Sequence, residues 1–237
     1  MAQKQLDTLV EDIYSSLSNL SNNEPLDIDD ASIDQVGESI KKVIKDGATP
    51  AERNKKFYLR MSNIGKPARQ LWFENKYERE DRAIAPHTFI KFLYGHLLEE
   101  IVLMLVRLAK HKVTDEQKEV EVSGIKGHID CKIDNEVVDI KSASGFSFAK
   151  FKNETLREDD PFGYIAQLTG YENAEGTNHG GLLVINKESG ELTLYRPEEL
   201  DKPVTRMMIE GLQRELKLDT PPPLCYAPVP DGSKGNM

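Results

Sequence analysis

Leu6, Val10, Ile13, Tyr14 and Leu17 recur at the spacing of one helix face, and the polar run 18–23 then breaks the pattern. Residues 31–45 read as a second helix, ended by Asp46-Gly47. Residues 50–85 keep no period and read as irregular around a turn-rich centre at 62–67. Residues 86–110 read as a long helix with apolar positions at Ile90, Leu93, Tyr94, Leu97, Ile101, Leu105 and Leu108. Short strands follow at 120–122, 125–133 and 136–141. Residues 161–171 read as a helix with Asp160 as N-cap. A hairpin is expected from 181–185 and 192–195 around Ser189-Gly190, then a last helix over 197–216. No repeat of fixed period is visible. The order predicts an α/β (α+β) fold, a mixed sheet flanked by helices with an N-terminal helical appendage. Its expected parts are an acidic helical segment 1–48, a main domain 49–218 and a Pro-rich tail 219–237, extended or disordered.

Composition narrows the class. With 38% hydrophobic and 30% charged residues in 237, the chain suits a globular enzyme with a polar surface. Arg107 interrupts the longest apolar stretch, 101–108, so no membrane span is expected. The N-terminus lacks the basic start and apolar run of a secretory signal, and a reducing cytoplasm is the default location. Cys131 and Cys225 are too few for a disulfide framework, a Cys-based zinc site or an iron–sulfur cluster.

Charge is unevenly placed. The net value is −9, yet residues 1–40 hold nine acids and one base, whereas 41–69 hold nine bases and two acids. That +7 stretch contains Lys55, Lys56, Arg60, Ser62, Lys66 and Arg69. It reads as a solvated loop or as a segment that grips phosphates, Arg as a fork and Lys as a point charge. The neighbouring Leu71-Trp72-Phe73 is core in preference to a wedge at a strand end.

The chemistry concentrates at 127–141. Asp134-Asn135 is a plausible two-residue hairpin turn. Closing it there sets Asp130 opposite Asp139 and His128 opposite Lys141. Residues 128, 130, 132, 137, 139 and 141 then share one face, while Ile129, Cys131, Ile133, Val138 and Ile140 share an apolar one. Opposed carboxylates destabilise a sheet. A divalent cation held by both would offset that repulsion, as would the nearby Lys141, or the charges are simply tolerated on an exposed face. A structural role is favoured for His128.

Asp130 followed by Asp139-Ile140-Lys141 resembles the PD-(D/E)XK nuclease superfamily. Gly95 and Glu99 match the Gly-x-x-x-Glu of its RecB-like and lambda-exonuclease-like branches, and Gln167 and Tyr171 match their Gln-x-x-x-Tyr. The run from Phe92 to Tyr171 is similar to exonucleases of tailed bacteriophages. The resemblance implies a restriction-endonuclease-like core and a Mg²⁺- or Mn²⁺-dependent DNA exonuclease of phage replication or recombination, working in the host cytoplasm. It implies that Asp130, Asp139, Glu99 and the Ile140 carbonyl hold the metal. Lys141 would act on water and on developing charge. Gln167 and Tyr171 would orient the site and contact DNA, with Ser142, Ser144, Ser62, Lys66 and Arg69 as further DNA contacts. It leaves room for a single-strand annealing or replication protein as partner, and for a homo-oligomer. On a wheel centred on Leu97, Ile101, Leu105 and Leu108, Glu100 lies nearer the apolar stripe, whereas the family spacing selects Glu99. The rival readings are a CRISPR-associated RecB-like nuclease, which the two cysteines disfavour, an endonuclease, and a DNA-binding or assembly module without catalysis.

Overall fold

A computed structural model describes residues 4–49, 56–77 and 84–225. In chain order its elements are α1 (Leu9–Ser21), α2 (Asp30–Ala48), α3 (Ala68–Lys76), α4 (Pro86–Leu108), β1 (Val113–Thr114), β2 (Glu119–Val122), β3 (Ile125–His128), β4 (Cys131–Ile133), β5 (Glu136–Ala143), α5 (Gly145–Lys152), α6 (Tyr164–Glu175), β6 (Gly181–Asn186), β7 (Leu192–Tyr195) and α7 (Thr205–Glu215). Five strands form one sheet in the order β1-β4-β5-β6-β7, and β2 and β3 form a separate ribbon. Only β5 and β6 run parallel, because the crossover through α5 and α6 returns the chain to the same end of the sheet. The fold is therefore a mixed sheet flanked by helices.

The β4–β5 hairpin has the register read from the sequence, Ile133 facing Glu136 and Cys131 facing Val138. Asp134 and Asn135 both take positive φ, 52° and 75°, as a primed turn between twisted strands requires. The expected strand 125–133 is instead split into β3 and β4 at Asp130. There the Ile129 N–H goes to the Lys118 carbonyl, and the Asp130 carbonyl accepts the Gln117 N–H. His128 pairs with Glu119 in the ribbon, not with Lys141, so it leaves the shared face.

Both faces of the sheet are covered. Cys131, Ile133, Val138, Ile140, Leu183 and Ile185 pack on α1 and α4 through Leu9, Ile13, Val102, Leu103 and Val106. Val137, Leu182 and Val184 pack under α6 through Leu168 and Tyr171, with Met61 and Ile64 from the 61–66 loop. The face expected to present the two carboxylates and Lys141 is thus also a second core face, since a strand central in a partly parallel sheet is buried on both sides.

The acidic first segment is helical, and α1 is seated in the core with Leu6, Leu9 and Ile13 buried. His111, its side chain buried, links α1 to the hairpin turn. Its Nδ1 lies 2.6 Å from Asp134 Oδ2 and its Nε2 lies 3.1 Å from Asp12 Oδ2. Within 50–85, expected to be irregular, α3 forms because Leu71 and Trp72 have a core to enter. The start of the Pro-rich tail runs over α3, where Trp72 Nε1 donates to the Leu218 carbonyl at 2.8 Å and Arg69 to the Pro222 carbonyl at 2.6 Å. Residues 226–237 of that tail lie outside the described residues.

Candidate active site

The site assembles where β4 ends and β5 continues. Asp139 sits mid-strand on β5, 1% exposed, and Lys141 follows two residues along the same face. Asp139 Oδ2 is ion-paired with the Lys141 ammonium and has no other polar partner among the described residues. Asp130 reaches the same place by a different route. Its backbone has turned away toward the ribbon, and its Oδ2 accepts the Ile140 N–H at 2.7 Å. In a strand a residue's N–H and C=O point to the same side. The Ile140 carbonyl therefore also faces Asp130. Two carboxylates, one carbonyl and one ammonium converge on the gap that β4 leaves.

Electrostatics agree with that convergence. Burial, reinforced by the neighbouring Asp139 charge, pushes the Asp130 carboxyl well above the usual carboxylate range. Burial alone would lower the Lys141 pKa, but Asp139 and Asp130 outweigh it and hold the ammonium charged above its ordinary range. The two carboxylates thus place a positive charge at this point of the site.

Glu99 lies on the inner face of α4, whose buried positions are Val102, Leu103, Val106 and Leu108. Glu99 stands three, four and seven residues before the first three of these, so it shares their stripe. The stripe drawn from Leu97, Ile101, Leu105 and Leu108 lies more than a third of a turn from the buried one, at about 100° per residue; Ile101 is 38% exposed and Ile90 is 68%. Burial raises the Glu99 pKa, with the Asp139 charge adding to the rise and the Lys141 charge opposing it. Its Oε1 accepts from Gln117 Nε2 at 3.0 Å. Glu99 is thus within the field of the cluster but committed to Gln117.

Gln167 approaches from α6. Its Nε2 lies 3.4 Å from Asp139 Oδ1 and 3.1 Å from the Tyr171 hydroxyl. Asp160 fixes the start of that helix, its two carboxylate oxygens accepting the Tyr164 and Ile165 N–H groups at 2.9 Å each. Tyr171 itself is 2% exposed and belongs to the core, so it contacts the site through Gln167 and offers no surface to DNA in this arrangement.

The other sequence-selected residues fall at varying distance from this centre. Ser142 and Ser144 line an open pocket of about 210 Å³ at the end of β5, together with Lys141 and Tyr164. Ser144 precedes α5, a helix the sequence reading missed, and its carbonyl accepts the Phe148 N–H. Ser62 is exposed in the loop before α3, and Lys66 is half-buried. Arg69 stacks over Phe73 at 5.5 Å while donating to Pro222, so its guanidinium serves the fold. Arg53 and Lys55 of the basic stretch lie outside the described residues.

Among the described residues, no group of three or more His, Cys, Asp or Glu is arranged to hold a metal ion. The donors that do converge are two carboxylates and a strand carbonyl. All are hard oxygens, and one carboxylate oxygen is buried with an ammonium as its sole partner. Mg²⁺ is commonly held by one or two carboxylates and keeps several waters, so this set fits Mg²⁺ or Mn²⁺. No helix among the described residues is long and apolar enough to cross a membrane.

No protein-family model matches the chain, and no curated protein matches it. Among solved structures it is similar to SSO0001, at 16% identity over 76% of this chain and 84% of that one, TM-score 0.39. It is similar to the alkaline exonuclease LHK-Exo of Laribacter hongkongensis, at 13% identity over 65% and 89%, TM-score 0.43. It is also similar to a phage-related exonuclease of Haemophilus somnus, at 11% identity over 68% and 91%, TM-score 0.43.

Proposed function

We propose that the chain is a Mg²⁺- or Mn²⁺-dependent deoxyribonuclease of PD-(D/E)XK type, an exonuclease serving phage DNA replication or recombination. The observation that carries this reading is the convergence of Asp130, Asp139 and Lys141 beside β5 at the break between β3 and β4, with the Ile140 N–H holding Asp130 in place. The exonuclease and phage elements are supported by the motif resemblance from Gly95 to Tyr171.

Phosphodiester hydrolysis needs a hydroxide-like nucleophile and neutralisation of charge at the phosphorus. A cation held by Asp130, Asp139 and the Ile140 carbonyl would supply the Lewis acid and lower the pKa of bound water. Lys141 holds its positive charge beside the reacting phosphate and stabilises the negative charge that develops there. Gln167 fixes the Asp139 carboxylate from the α6 side, and Tyr171 fixes Gln167. Glu99, near enough to feel the charges of Asp139 and Lys141, would add a third carboxyl group to the edge of this site.

The test is degradation of end-labelled linear DNA and closed circular DNA with Mg²⁺ or Mn²⁺, against a metal-free control. Loss of the linear substrate alone supports an exonuclease, and cutting of the circle makes the protein an endonuclease. Binding without cleavage in either metal overturns the catalytic reading in favour of a DNA-binding module.

A further inference from the structure

Beyond the reacting groups, β5 opens into the pocket of about 210 Å³ whose walls include Ser142, Ser144 and Ser147, then Phe162 and Tyr164. Three lysines line it as well. Lys141 pairs with Asp139 and Lys150 with Asp159, and Lys187 is the third. Of the two acids on the wall, Asp159 is thus paired, and Asp160 is spent on the first N–H groups of α6. The Gly145 N–H at the start of α5 is taken by Glu188 Oε1 at 3.0 Å. What remains for a ligand, beside the reacting Lys141, is hydroxyls, the Lys187 ammonium and aromatic surface.

The aromatic surface is continuous with the chemistry. The Tyr164 ring lies 5.6 Å from the Lys141 ammonium. Phe162 stacks on Tyr164 with centroids 5.4 Å apart and planes at 26°. Phe162 is 58% exposed, so part of its ring is open to a ligand. The path from the reacting lysine outward is therefore one ring and then a second, the outer one open to solvent.

We propose that this pocket receives the nucleobase of an unpaired DNA end, stacked on Phe162, with the adjoining phosphate directed at Lys141 and the serine hydroxyls. The inference rests on the nuclease reading and specifies its substrate as DNA with an unstacked terminal base. A base inside a duplex has both faces covered and its pairing edge occupied, so it can reach Phe162 only after leaving the stack. The pocket has room for a base beside Phe162 and opens to solvent. Stacking needs only a π-face, so the site tolerates any base.

The experiment uses full-length protein in Ca²⁺ in place of Mg²⁺ and single-stranded oligonucleotides carrying 2-aminopurine at a terminal or an internal position. The expected result is quenching of a terminal probe at one end and none at the internal one. Phe162→Ala should remove the quenching and weaken binding by about tenfold, and Phe162→Trp should restore both. An oligonucleotide abasic at that end should bind the wild type as weakly as the intact one binds Phe162→Ala. If DNA is bound and, in Mg²⁺, cut, but the terminal probes stay bright at both ends, the pocket inference fails and the nuclease reading stands. If DNA is neither bound nor cut, both fall.

Discussion

The Asp130 carboxylate accepts the backbone N–H of Ile140 at 2.7 Å, taking the ladder position left by Ile129, whose own N–H has turned to the Lys118 carbonyl. A side chain stands in for a strand. That substitution holds a second carboxylate beside Asp139 and opens the edge of β5 from which the Ile140 carbonyl faces the site.

The two jobs of Asp130 separate by substitution. Asp130→Asn keeps an acceptor for Ile140 and removes the charge that Asp139 opposes. Metal-free stability should hold or rise by up to about 1 kcal/mol. Asp130→Ala strands the Ile140 N–H and should cost about 1–3 kcal/mol. Both should abolish DNA cleavage and the stabilisation by Mg²⁺. Thermal melts with and without Mg²⁺, alongside the cleavage assay, check this; an active Asp130→Asn protein would remove Asp130 from the site.

Lys141→Ala should slow cleavage by roughly two orders of magnitude while the Mg²⁺-induced rise in melting temperature persists. The ammonium acts on developing charge, not as a ligand, and its loss leaves the two carboxylates with less internal compensation. Single-turnover rates across a metal titration decide the matter. Full rescue by excess metal would show that Lys141 merely supports the carboxylates.

Gln167 is a positioning residue. Gln167→Ala removes the contacts to Asp139 and Tyr171 together, and should lower the single-turnover rate about tenfold with DNA affinity in Ca²⁺ unchanged. Tyr171→Phe leaves the contact with Asp139 and should cost only about 0.5–1.5 kcal/mol of stability. Equal losses of affinity and rate in Gln167→Ala would instead make Gln167 a DNA contact.

Gly65 and Gly163 meet backbone to backbone. A Cβ on Gly65 would fall 2.4 Å from the Gly163 Cα, and Gly163 has φ +73°. Alanine at either position must push apart the 61–66 loop and the start of α6, costing about 1–3 kcal/mol or more. Gly124 has a similar φ of +78° but nothing within 4 Å, so Gly124→Ala should cost only about 1 kcal/mol. Denaturant melts of the three variants test the contrast, and equal losses would show that conformation, not contact, dominates.

Glu175 bridges Lys118 at 2.9 Å and Lys132 across the α6 side of the sheet. Burial alone would raise its pKa, but the two ammonium groups outweigh burial and hold it below the ordinary 4.5. A depressed carboxylate contributes stability above its unfolded pKa and loses it as pH falls through its folded value. Glu175→Gln should therefore cost about 1.5–3 kcal/mol at pH 7. The gap from wild type should close as pH is brought below 4.5. A pH-independent gap would make the loss one of packing.

The local pattern was enough for the hairpin. Asp134-Asn135 has the residues a primed turn needs, and an alternation of period two then sets the register, so Asp139 and Lys141 could be assigned to one face from sequence alone. Gln167 and Tyr171 are four apart on a helix, and the contact between them is equally local. What the pattern could not give was decided by long-range packing. The strand broke at Asp130 because Ile129 and Asp130 found backbone partners in Lys118 and Gln117, a dozen residues earlier. That break sent His128 away and brought the Asp130 side chain in. The α4 stripe was misread because that helix is apolar on several sides, and only the docked α1 and sheet determine which side is buried, the side that carries Glu99. The charge on Lys141 likewise follows from enclosure with Asp130 and Asp139, an environment that no run of residues along the chain encodes by itself.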